Sequence, residues 1–149
     1  MRRRAADAVA GVRFEGVPGA CPAPGVLAAI ADADRVVLAP SNPFVSLDPI
    51  LAVDGVRAAV AARRDDCVAV SPVIGGKAVK GPLVEMLASM GHRPDAVGVA
   101  RYLADLADAY VLDPEDAVLA DEVEQRAIVV PTLMQEPDVR AGLAAAVLA

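Results

Sequence analysis

The sequence predicts an α/β protein: a mainly parallel, Rossmann-like sheet with flanking helices. Two observations carry this. Four short β-branched runs, at residues 35–39, 67–70, 109–112 and 127–130, are continuous apolar stretches without alternation. Strands buried on both faces of a parallel sheet read this way. Helical patterns lie between the runs, and a repeated strand–helix order folds into parallel strands with right-handed crossovers.

The elements follow in order. Val12, Arg13 and Phe14 suit a short strand, and Gly16, Pro18, Gly19 and Pro22 make the next stretch a loop. Residues 24–33 form an Ala-rich helix with Pro24 near its start. The segment 54–64 opens on Asp54 and ends in Arg63 and Arg64, which matches the helix dipole. A helix over 81–90 stops at Gly91, a natural left-handed end position. Its Met86, Leu87 and Met90 fall on a core-facing stripe. Residues 95–106 and 114–126 are amphipathic; the second has Glu115 and Asp116 in its first turn and Arg126 in its last. A helix over 137–148 closes the chain. No repeat or low-complexity linker interrupts residues 1–149, which read as one α/β unit.

Composition narrows the function. The 149 residues are 56% hydrophobic, which excludes bulk disorder. No apolar stretch reaches the roughly 18 residues of a membrane span. The basic start at Met1–Arg4 is followed by Asp7 and no Leu-rich run, so it does not read as a secretory signal. Cys21 and Cys67 cannot make a disulfide framework, and a reducing cytoplasm suits them. A net charge of −6 argues against nucleic acid as the main partner. So do four scattered aromatics, Phe14, Phe44, Tyr102 and Tyr110, which offer no stacking platform. Residues 1–94 carry 11 basic and 9 acidic groups, whereas residues 95–149 carry 3 and 11. An anionic small ligand belongs in the first two-thirds.

Ligands of open parallel sheets sit beyond the carboxyl ends of the strands. Two loops there are informative. Residues 40–51 carry three prolines, which stiffen the backbone around Ser41, Asn42 and Ser46. Such groups hydrogen-bond phosphate or a nucleotide; the same residue types also make ordinary turns. Residues 71–82 hold Gly75 and Gly76, whose amides can approach a phosphate closely, and the only lysines, Lys77 and Lys80. A glycine turn with two solvated lysines is the alternative. The loop is not a Walker A motif, because Ser71 and Ala78 stand where Gly and Ser/Thr are required.

Other groups read as structural. His92 suits a solvated or capping residue after Gly91, and one His without Gly-x-Ser-x-Gly argues against an acyl-transfer triad. Cys67 opens a buried strand and reads as an inert thiol. Asp105, Asp108, Asp113, Glu115 and Asp116 suit a solvated acidic face, or oxygen ligands for Mg²⁺. Asp48 is the carboxylate nearest the two loops and the candidate metal ligand.

At these loops a resemblance enters. Residues 33–43 (ADRVVLAPSNP, beginning at Ala33), 46–51 (SLDPIL) and 70–82 (VSPVIGGKAVKGP) resemble the 2-phospho-L-lactate transferase family. So do residues 98–106 (GVARYLADL) and 24–27 (PGVL), all in order. The resemblance implies transfer of a phospholactate or phosphoenolpyruvate moiety from a diphospho-guanosine donor to the deazaflavin precursor of coenzyme F(420). GMP is released and Mg²⁺ assists. It also implies a homodimer. Ser41, Asn42, Ser46, Gly75, Gly76, Lys77 and Lys80 would bind the donor phosphates or guanosine; no catalytic residue is assigned. Asp48 stands where the family often has a small residue. The match corresponds to the C-terminal half of a family member, so an incomplete fold, lacking an N-terminal half, is expected. A non-catalytic nucleotide or nucleotide-sugar binding module of the same superfamily is the alternative.

Overall fold

A computed structural model describes residues 9–17 and 19–149. The basic start at residues 1–4, Asp7 and Pro18 lie outside them. Six strands and six α-helices are present among the described residues. The first half contains α1 (Val26–Asp32), β1 (Val36–Leu38), a π-helical turn (Pro43–Leu47), α2 (Asp48–Leu51), α3 (Val56–Ala61) and β2 (Cys67–Val70). A hairpin of β3 (Val73–Ile74) and β4 (Lys77–Ala78) follows, then α4 (Leu83–Ser89) and α5 (Ala96–Tyr102). The chain ends with β5 (Ala109–Leu112), a 3₁₀ segment (Pro114–Glu122), β6 (Arg126–Val129) and α6 (Pro137–Leu148).

The main sheet has the order β1-β2-β5-β6, every pair parallel. The register places Val36 beside Cys67, Ala69 beside Tyr110, and Tyr110 beside Ala127. The four expected strands and the α/β class are therefore present. Burial on both faces holds only for the two central strands. Every residue of β2 and β5 is buried, but Val37 in β1 and Val129 in β6 are each 40% exposed. Those two strands are the sheet edges, where a neighbour is missing on one side.

Side-chain alternation divides the core. Cys67, Ala69, Tyr110 and Leu112 join Met86, Leu87, Val97 and Leu103 on one face. Val68, Val70, Ala109 and Val111 point to the other, where Leu143 and Val147 of α6 meet them. These two positions are one helical turn apart, so α6 covers that face with a single stripe. Helix α1 buries no residue, but Arg63 donates to the carbonyls of Ile30 and Ala31 at its end.

Local signals explain most boundaries. Asp95 caps α5 by accepting from the Gly98 amide at 3.1 Å. After α4, Gly91 adopts φ 80, its amide donates to Ala88 and the His92 amide to Leu87. This is a Schellman ending, as the sequence indicates. Three expectations change. Residues 12–14 form no strand. Residues 114–126 do not make an amphipathic α-helix, because Asp113 and Asp116 turn inward to bond loops and the chain tightens into a 3₁₀ run. That run leaves Val118 87% exposed, which an apolar helical stripe would have buried. The third change concerns His92. It is half-buried, with ring centroids 5.6 Å from Phe44 and 5.3 Å from Tyr102. Phe44 and Tyr102 also meet edge to face at 5.0 Å, so two of the four aromatics do cluster. With Phe44 buried, they are packing and not a stacking platform.

The fold makes an alkaline prediction. Burial pushes the Cys67 thiol up to about 11. Burial first, then the hydrogen bond to Asp48, push the Tyr102 phenol up to about 12. Burial also raises Tyr110. All three are neutral when protonated, and their folded values lie above the unfolded ones. Their contribution is complete below about pH 8.5, near the unfolded thiol's value, and is lost progressively as pH rises above it. Urea unfolding free energy is expected to be flat from pH 7 to 8.5 and to fall steadily above that range.

Candidate functional site

A cavity of about 610 Å³ opens beyond the carboxyl ends of the parallel strands. Its volume suits a small-molecule ligand. Three stretches wall it: Pro40–Ser46 after β1, residues between Ser71 and Leu83 after β2, and Thr132–Gln135 after β6. The first wall is stiff for visible reasons. The Asn42 side-chain oxygen accepts from the Phe44 amide at 3.0 Å, and its amide group reaches the Met86 sulfur at 3.5 Å. The Ser46 and Leu47 amides both donate back to the Asn42 carbonyl, which makes the turn π-helical. Phe44 then anchors it on Tyr102 and His92.

Of the sequence candidates, Ser41, Asn42, Ser46 and Lys80 line this cavity together. Among the described residues of the lining, Lys80 is the cation and there is no carboxylate. Gly75, Gly76 and Lys77 lie outside the lining. Gly75 and Gly76 occupy the two-residue turn of the β3–β4 hairpin with φ 55 and 69, the type I′ geometry that favours glycine. The Gly75 amide is occupied, donating to Asp116 at 2.9 Å. Lys77 is exposed on β4 opposite Ile74. Asp48 also lies elsewhere: its carboxylate accepts from the Tyr102 hydroxyl at 2.6 Å, in a separate depression with Phe14 and Arg57.

The acidic residues do not form one solvated face. Asp105 pairs with Arg57 at 2.7 Å and Asp108 with Arg64 at 2.9 Å. Asp113 and Asp116 are buried. Among the described residues no group of three His, Cys, Asp or Glu side chains is placed to hold a metal ion. Buried Ser71 and Thr132 are polar lining groups that residue-by-residue reading missed. Thr132 had a signal: it stands just past the carboxyl end of a strand, as Ser41 does.

The comparisons with known proteins bear on this site. The family model for "2-phospho-L-lactate transferase CofD" matches residues 2–141. The chain belongs to that family. A phosphoenolpyruvate transferase of Kitasatospora aureofaciens is 44% identical over 138 residues, covering 90% of this chain and 43% of that protein. A phosphoenolpyruvate transferase of Thermobifida fusca is 44% identical over 133 residues, covering 88% and 40%. A 2-phospho-L-lactate transferase of Methanothermobacter thermautotrophicus is 40% identical over 125 residues, covering 84% and 39%. The chain thus spans about two-fifths of the length of these CofD-family relatives. The matched part contains all three walls of the cavity.

Proposed function

We propose that the cavity is the donor half of a transferase site in coenzyme F(420) biosynthesis. A diphospho-guanosine carrying phospholactate or phosphoenolpyruvate would give up its phospho-acid moiety to a deazaflavin acceptor, with GMP leaving. The observation that carries this reading is the convergence of the Pro40–Ser46 turn, Lys80 and Thr132 on one cavity at the sheet's carboxyl edge. Ser41 and Ser46 offer hydroxyls on a preorganised turn, and Lys80 offers a mobile positive charge for phosphate oxygens. Asn42 holds the turn with both ends of its side chain. Positioning and charge stabilisation account for most of catalysis in transfers at phosphorus.

The described residues of the cavity lining supply no carboxylate for Mg²⁺, and Asp48 is bonded to Tyr102 instead. The described residues therefore do not fit a protein-held magnesium site. The acceptor site, a second copy and a cytoplasmic setting also come from the family reading, with the rest of the transferase supplied outside this stretch.

The test is a chimera in which residues 2–141 replace the matching segment of the Kitasatospora relative. It should form GMP and the phospho-acid adduct of the deazaflavin from the lactyl or the enolpyruvyl donor. A chimera that melts cooperatively and binds the donor without GMP release favours the binding-module reading. One that neither binds nor turns over rejects both.

A further inference from the structure

We infer that Asp113 and Asp116 are positioning residues that fix the separation of two walls of the cavity without touching its contents. This deepens the donor-site reading and rests on it for the ligand. Both carboxylates are buried, at 7% and 4% exposure. The ion pairs among the described residues involve neither of them. Buried carboxylates are tolerated when donors satisfy them, and here loop amides and a hydroxyl do so.

The partners are the informative part. One Asp113 oxygen accepts from both the Thr132 amide at 2.8 Å and the Thr132 hydroxyl at 3.1 Å. Its other oxygen accepts from the Glu115 amide at 3.1 Å, which starts the 3₁₀ segment. Three residues on, Asp116 accepts from the Gly75 amide at the tip of the β3–β4 hairpin. Thr132 begins the wall after β6, and the hairpin carries Ile74 and leads directly into Val79 and Lys80 of the facing wall. One short rigid segment after β5 therefore holds two walls that belong to different loops, and it lines neither. Every bond described for the two side chains accepts from a protein donor. An amide in place of Asp113 must turn an N–H₂ toward at least one donor.

The experiment compares the wild-type chain with Asp113→Asn and Asp116→Ala. Hydrogen exchange at the Thr132 amide is expected to accelerate about tenfold or more in Asp113→Asn, and at the Gly75 amide in Asp116→Ala. These increases are read after allowing for any change in global unfolding free energy from urea titration. Guanosine 5′-diphosphate, titrated calorimetrically, is expected to bind each variant about tenfold more weakly than wild type. Val147→Ala, which loosens the opposite face of the sheet, is the destabilised control and keeps wild-type affinity. Unchanged exchange at Thr132 and Gly75 overturns the inference. So does accelerated exchange with unchanged affinity, or an equal loss of affinity in Val147→Ala. If wild type does not bind the diphosphate, the donor reading falls, and the exchange rates alone decide whether the two carboxylates hold the walls.

Discussion

Gly98→Ala is expected to destabilise the protein by about 3 kcal/mol or more, a melting shift of roughly 10 °C for a chain of this size. Gly98 sits in the first turn of α5, fully inside the core. A Cβ there would collide with the Arg93 carbonyl oxygen. That obstacle is backbone, so no rotamer change relieves it. Moving Arg93 also disturbs its guanidinium, which bonds Asp95 and Glu122, and Asp95 is the residue that caps α5. The collision thus spreads into the cap. The usual helix-propensity gain of Ala over Gly, about 1 kcal/mol, is too small to compensate. Urea titration of the variant decides the matter; a loss under about 1 kcal/mol would mean that the Arg93 turn yields freely.

Lys80→Ala should weaken binding of guanosine 5′-diphosphate by about 10- to 100-fold at 0.15 M salt. A hydrogen bond to a charged group contributes roughly 1.5–3 kcal/mol, which sets that range. The expectation is large because the described residues of the lining offer the ligand no second cation. Lys77→Ala removes an equal charge three residues away but outside the lining, and is expected to change affinity by less than about threefold. Lys80→Arg should recover only part of the loss, since a planar fork replaces a compact charge. Calorimetric titration of all three variants separates local contact from general attraction. Equal losses for Lys77→Ala and Lys80→Ala would reject the cavity as the phosphate site and leave only the loop's net charge.

The sheet was legible because its signal is local. Runs such as Cys67–Val70 and Ala109–Leu112 carry their own apolar continuity, and the observed strands begin and end within a residue or two of the runs. Helix ends were legible where a cap was written in the chain, as at Asp95 and Gly91. Exposure at the edges was not, because Val37 and Val68 look alike until a neighbour is assigned to each. The 3₁₀ segment failed for a related reason. Its acids matched a helix dipole, but Asp113 and Asp116 are held by Thr132 and Gly75, partners remote in sequence. Of the site, Ser41, Asn42, Ser46 and Lys80 could be gathered from the rule that ligands meet the carboxyl edge. The same rule could not separate Lys80 from Lys77, because the hairpin register holds Lys77 opposite Ile74 while Lys80 lies beyond β4, among the residues that line the cavity.

The cavity draws its walls from near residue 40, from the seventies and early eighties, and from near residue 135. That dispersal has a hereditary consequence. No short exchange of gene segments can carry this pocket from one protein to another, because any piece that includes one wall omits the rest. A crossover falling between Asp113 and Thr132 would join walls shaped by different ancestors, and the mismatch would appear first where those two residues meet. As a unit of descent, the pocket is transmitted nearly whole or is broken.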